Sequence, residues 1–150
     1  MSDAVKAVPD GFHTVTPYLV VSDAAALIRF TEQAFDATLV SSHEDQNGNV
    51  AHAEIQIGDS RIMLGQGNAE WPPMPCMIHL YVEDSDAVYR KALEAGGESV
   101  REMEDMFYGD RSGGVKDPTG NQWWISTHVE DVPPEEMARR EEEQRAKQAR

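Results

Sequence analysis

Two stretches of this chain, 61 residues apart, carry the same order of structural signals, and that repetition limits the fold more than any other feature. Tyr18-Leu19-Val20-Val21-Ser22-Asp23 lies opposite His79-Leu80-Tyr81-Val82-Glu83-Asp84 at this offset, Arg29 falls on Arg90 and Ala34 on Ala95. The turns Gly58-Asp59-Ser60 and Gly120-Asn121-Gln122 agree within one residue of the same spacing. One coincidence means little, but a shared order of elements at one period marks an internal duplication.

The first copy begins with an extended run, Thr14 to Val21, rich in β-branched and aromatic residues and followed by the N-cap signal Ser22-Asp23. From Asp23 to about Phe35 the residues Leu27, Ile28, Phe30, Thr31, Ala34 and Phe35 recur at helical spacing. Residues 38–44 and 50–57 then read as strands flanking Asn47-Gly48, a pair suited to a tight hairpin turn, and Arg61 to Gly65 as a fourth short strand. In the second copy Met77 to Val82 is a strand and Glu83-Asp84-Ser85 offers caps. A helix through Ala87, Val88, Ala92 and Leu93 stops at Gly96-Gly97. Ser99 to Met103, the glycine-rich Gly109 to Gly114 with Val115-Lys116, the turn Asp117 to Asn121, and Gln122 to His128 complete the pattern. The fold class is therefore α+β, built from two tandem β-α-β-β-β modules. Module one spans about 14–65 and module two about 76–128. The proline-bearing stretch 66–75 is a linker, because proline withholds a backbone donor and resists both helix and central strand. Residues 1–12 form a short polar lead-in.

After Val132, Pro133-Pro134-Glu135-Glu136 starts a charged helical tail over 133–150, with Glu/Arg or Glu/Lys pairs four apart at 135/139, 136/140, 141/145 and 143/147. The net charge of −14 belongs wholly to the rest: residues 1–134 carry 22 acidic and 8 basic side chains, the remainder five of each. So acidic a body repels phosphate backbones and anionic membranes, which argues against nucleic-acid and membrane partners. Without a long apolar run or a signal-peptide pattern, the cytoplasm is the expected compartment. The single Cys76 fits a reducing compartment and reads as a small buried strand residue.

Strand alternation sorts the side chains into two faces. Leu19, Val21, Ile55, Ile57, Ile62, Leu64, Ile78, Leu80, Val82, Trp123 and Ile125 are expected to pack beneath the helices. Tyr18, His52, Glu54, Met63, His79, Tyr81, Trp124 and His128 face the other way. Two uses are open to this second set: lining a small-molecule site or filling a barrel interior. The loop Gly109 to Gly114 lacks the Gly-Lys-Ser/Thr ending and the strand-to-helix context of a phosphate loop.

The duplicated module resembles the vicinal oxygen chelate superfamily, which contains glyoxalase I, bleomycin-resistance proteins and extradiol dioxygenases. Met106-Phe107-Tyr108-Gly109-Asp110-Arg111, Val115 to Trp123, and Thr127 to Met137 are similar to its PhnB-like branch. The resemblance implies one such domain over 12–132, a curled mixed sheet around a cleft with helices outside, and a homodimer. It also implies that Asp110 and Arg111 face a ligand. Enzymatic members hold a divalent metal through one residue on the first and one on the last strand of each module, typically His, Gln or Glu. The 61-residue offset puts Tyr18, Met63, His79 and Trp124 at those positions, and only His79 is an ordinary ligand.

The expected function is accordingly small-molecule binding without the metal or any other cofactor, through Tyr18, His52, Glu54, Met63, His79, Tyr81, Arg111, Trp124 and His128. The alternative is a metal-dependent lyase or dioxygenase with a site displaced onto His79, His52, Glu54 or His128. A metal-free enzyme would use His79 as general base and Tyr18 as hydrogen-bond donor. A third reading makes the chain an interaction module whose charged tail binds a partner.

Overall fold

In a computed structural model that describes residues 4–149, each module forms its own four-stranded mixed sheet. The first contains β1 (Tyr18–Val21), β2 (Thr38–Glu44), β3 (Val50–Ile57) and β4 (Ser60–Gln66), in the order β1-β4-β3-β2, with α1 (Ala24–Phe35) on one face. The second contains β5 (Met77–Tyr81), β6 (Glu98–Asp105), β7 (Asp110–Lys116) and β8 (Gln122–His128), in the order β5-β8-β7-β6, with α2 (Ser85–Glu94). The outer strands β1 and β5 pair in parallel with β4 and β8; the other pairings are antiparallel. Among the described residues the two sheets do not close into a barrel.

The duplication extends to single hydrogen bonds. Asp23 Oδ1 accepts from the Ala26 amide at 3.1 Å, and Asp84 Oδ1 from the Ala87 amide at 3.1 Å, so equivalent aspartates cap equivalent helices. At the next level up, the Gln66 side chain bridges the Ala24 amide and the Ser22 carbonyl, while Thr127 bridges the Ser85 amide and the Val82 carbonyl. Different residue types do the same job: each fastens the end of the module's last strand to the first turn of its helix.

Alternation predicts the core well. Leu19, Val21, Ile55, Ile57, Ile62, Leu64, Trp123 and Ile125 are buried, with Ile78, Leu80 and Val82 partly buried against them. The modules share this core through α1 packing on α2 and through Phe35, whose ring centroid lies 4.9 Å from that of Trp123.

Several local expectations are corrected. The first strand begins at Tyr18 rather than Thr14: Pro17 has no amide for the ladder, although its carbonyl accepts from Met63 at 2.9 Å. The Asn47-Gly48 turn widens to a loop over 45–49, because Asp45 Oδ1 gathers the amides of Asn47 (2.8 Å) and Asn49 (3.0 Å) while Gly48 takes a left-handed φ of 81°. Cys76 is exposed rather than buried. Partial burial of its thiol, and then the charge of Asp117, push its pKa up. The tail is helical as α3 (Pro134–Gln148). Arg140 pairs with Glu136 (2.9 Å) and Glu130 (2.6 Å) and donates to the Phe107 carbonyl (3.2 Å), whereas Arg139 turns to Glu136 and Glu143 instead of Glu135. Arg139 and Arg140 hold the Glu136 carboxyl down at about 2. Among the described residues no helix is long and apolar enough to cross a membrane.

Candidate functional site

The positions predicted from the repeat are register partners. Tyr18 stands opposite Met63 in the β1-β4 ladder, and His79 opposite Trp124 in β5-β8. Their donors are a phenol, a thioether, an imidazole and an indole whose nitrogen lone pair belongs to the ring. That set does not fit a hard or borderline divalent ion. His79 is further committed, since its Nε2 lies 2.8 Å from Ser126 Oγ. The residues of the displaced set divide between the sheets, with His52 and Glu54 on the first and His79 and His128 on the second. Among the described residues no three His, Cys, Asp or Glu side chains come together as a metal-binding group.

On the first sheet the Tyr18 hydroxyl meets His52 Nδ1 at 3.1 Å, and His52 Nε2 faces Glu54 Oε1 at 3.5 Å. Glu54 Oε2 accepts from Ser41 (3.3 Å) and lies 3.8 Å from Arg61, which also donates to Gln56 (2.7 Å) and stacks over Phe12, 4.7 Å from the ring centroid. Tyr18 therefore works with His52 rather than with His79, which belongs to the other sheet.

Tyr18 is 48% exposed and lines a cavity of about 410 Å³ with Val20, Ala51, Gly65, Trp71 and Met74. Trp71 and Met74 come from the 66–75 segment, which serves as a wall as well as a linker. The Met74 amide donates to the Val20 carbonyl (3.0 Å) and the Gly67 amide to that of Val21 (2.7 Å), so the segment folds back along β1. Asn68 Oδ1 shapes it by accepting from the amides of Glu70 and Trp71. The lead-in does similar work beside it: Pro9, Phe12, His13 and Thr16 enclose a second cavity with Glu54 and Met63. Sequence reasoning missed both walls. The available signal was a Trp and a Met standing in an otherwise proline-rich, polar connection.

On the second sheet His79, Ser126 and Ser112 form a chain, with Ser126 Oγ donating to Ser112 Oγ at 2.8 Å. Trp124 lies against Gly114, beneath the Arg101 guanidinium 4.6 Å from its ring centroid, and donates to Gln122. The Arg101 Nε is buried without an aligned hydrogen bond, although Glu104 Oε1 is 3.4 Å away. Asp110, only 3% exposed, accepts from the Tyr81 hydroxyl (2.8 Å) and from His128 Nδ1 (2.8 Å), and His128 Nε2 reaches the exposed Asp131 at 2.7 Å. Arg111 does not join this face. It points to α2, where it grips Asp86 through Nε (2.7 Å) and Nη2 (3.0 Å), with Asp105 at 3.3 Å. Successive residues on a strand face opposite ways, so Asp110 and Arg111 cannot share the face.

The hydrogen bond to Asp110, then that to Asp131, raises the His128 pKa above its ordinary value. A group whose pKa is raised on folding stabilises the fold fully below the unfolded value, about 6.5, and loses that contribution as pH climbs through the higher folded value. Urea midpoints of the wild type and His128→Gln are accordingly expected to differ most below about pH 6.5 and to converge as the pH rises above it. A gap that widens with rising pH contradicts the assignment.

The fold has parallels in known proteins. Residues 11–125 match the profile of the glyoxalase/bleomycin resistance protein/dioxygenase superfamily. An uncharacterized protein of Mycobacterium bovis is 36% identical over 134 residues, covering 82% of this chain and 88% of its own; one from Mycobacterium tuberculosis is 36% identical, covering 82% and 79%. Among solved structures, TioX from Micromonospora sp. ML1 superposes with a TM-score of 0.66 at 19% identity, covering 77% of this chain and 98% of that one. A glyoxalase/bleomycin resistance protein/dioxygenase family enzyme from Burkholderia phytofirmans PsJN superposes with a TM-score of 0.63 at 16% identity, covering 76% and 97%. At such identities the structures speak for the fold, while the profile spans most of both modules. With its paired β-α-β-β-β units, the chain belongs to the glyoxalase/bleomycin resistance protein/dioxygenase superfamily.

Proposed function

We propose that this protein binds a small organic molecule in a cleft shared between two copies of the chain, without the superfamily's divalent metal, as a cytoplasmic member of its PhnB-like branch. The observation that carries the reading is the open cavity walled by Tyr18, Trp71 and Met74; the positions matching the superfamily's metal ligands, here Tyr18, Met63 and Trp124, carry a phenol, a thioether and an indole. Aromatic rings supply contact area, and the few polar tips fix orientation. A dimer suits the second sheet, where Met77 and Tyr81 are each 65% exposed on the face that carries His79 and Trp124. An uncovered face of this kind is completed by another surface. Tyr18, His52, Glu54 and Met63 would then form one half of the site, and His79, Tyr81, Trp124 and His128 the other.

Native mass spectrometry of protein purified without a His tag or chelator tests this reading. The expected species is a two-chain assembly that retains an organic molecule and holds no stoichiometric metal. A monomer at micromolar concentration removes the shared cleft. A stoichiometric ion that is lost on His79→Ala restores the metal-dependent alternative.

A further inference from the structure

We propose that the cavity between β1, β4 and the 66–75 segment selects an aromatic molecule carrying a protonated amine. This inference rests on the small-molecule reading and adds the chemical class of the ligand. It follows from where the protons sit. Glu54 Oε1 faces His52 Nε2 at 3.5 Å, and although the two make no aligned hydrogen bond, the negative charge there favours the neutral tautomer with its hydrogen on Nε2. In that tautomer Nδ1 is bare, and the Tyr18 hydroxyl donates to it across 3.1 Å. With its hydrogen turned to His52, the Tyr18 oxygen has lone pairs left for a ligand and requires a donor from it.

The surroundings favour a positive donor. Glu54 places negative charge behind His52, and Arg61, the arginine at this face, is already engaged by Gln56, Glu54 and the Phe12 ring. A ligand carboxylate or phosphate would find no uncommitted cation among the cavity's lining residues. Gln66 gives one N–H to the Ser22 carbonyl and accepts from the Ala24 amide, so the donors left to an anion are neutral: its second N–H, the amide N–H groups of Asn68 and the Trp71 indole N–H. The ring of Trp71, 60% exposed, and that of Tyr18 offer π faces to an ammonium group. The space itself is arranged for the phenol. A Cβ on Gly65 would stand 2.8 Å from the Tyr18 hydroxyl oxygen and 2.4 Å from the Ala51 carbonyl oxygen, so only glycine leaves room for both.

Three probes that share one ring system separate charge from ring: 1-naphthylmethylamine, 1-naphthaleneacetate and unsubstituted naphthalene, titrated calorimetrically into the full chain. The amine is expected to bind about tenfold or more tightly than the acetate. Tyr18→Phe should weaken the amine by about fivefold while leaving naphthalene unchanged. Trp71→Ala, on an exposed segment away from the core, should weaken amine and naphthalene together. Equal or tighter binding of the acetate, or an amine affinity indifferent to Tyr18→Phe, overturns the proposal. Naphthalene binding that still depends on Trp71 would then leave the small-molecule reading standing. Failure of all three probes to bind overturns both.

Discussion

Asp117→Ala is expected to destabilise the protein by about 3 to 5 kcal/mol, because it strips the acceptor from a buried cluster of donors. The carboxylate is 3% exposed, and Oδ1 accepts from the Thr119 amide (2.7 Å), the Thr119 hydroxyl (2.6 Å) and the Asn121 amide (3.2 Å). Oδ2 accepts from the indole of Trp123 at 2.7 Å. Trp123 is fully buried at the junction of the modules, so its N–H has no route to water once the carboxylate is gone. The damage spreads one link further, since the Asn121 side chain receives the Cys76 amide at 2.8 Å and so sets the start of β5. Asp117→Asn keeps the volume and one acceptor oxygen but turns an amide donor toward other donors, and an intermediate loss is expected. Urea unfolding followed by tryptophan fluorescence measures both. An Asp117→Ala variant within about 0.5 kcal/mol of wild type, the range of ordinary surface changes, contradicts the account.

Gly65→Ala is expected to cost about 2 to 3 kcal/mol and to abolish binding in the Tyr18 cavity, an effect out of proportion to one added methyl group. The new carbon meets the Ala51 carbonyl oxygen at 2.4 Å, and because that atom is backbone on the neighbouring strand it cannot swing aside as a side chain would. It also meets the Tyr18 hydroxyl at 2.8 Å, so relief comes from parting β3 from β4 or from displacing Tyr18 away from His52. Either movement alters the cavity. Calorimetry with 1-naphthylmethylamine and a parallel urea titration separate the two losses. Unchanged binding would show that the space beside Gly65 is not part of the site.

Much of this architecture is legible in the chain because it depends on short-range rules. Period-two alternation assigns Ile55 and Ile57 to the core and His52 and Glu54 to the open face, and Asp23 and Asp84 mark helix starts by the reach of a short carboxylate to a backbone amide. The 61-residue offset even matches Tyr18 with His79 and Met63 with Trp124 before any strand is placed, and the ladders then set Tyr18 opposite Met63 and His79 opposite Trp124 because equivalent positions in duplicated modules have equivalent neighbours. Pairings between side chains follow no such local rule. Tyr18 meets His52 across 34 residues of sequence, and Arg111 turns from the ligand face to Asp86 because its strand presents Asp110 to Tyr81 and His128 instead.

The segment from Gln66 to Pro75 shows the boundary most clearly. Its prolines determine that it is neither helix nor central strand, and the chain alone supports that conclusion. Its return along β1, which makes Trp71 and Met74 a wall of the Tyr18 cavity, depends on two backbone carbonyls, of Val20 and Val21, that become available only when β1 is the outer strand of its sheet. The sequence by itself thus determined the duplication, the faces of the strands, the helix caps and the unsuitability of Tyr18, Met63 and Trp124 as ligands for a hard metal. Only the tertiary structure decided which of those side chains meet, because hydrogen bonds and cavities form between groups brought together by sheet order, and sheet order is not written in any local pattern.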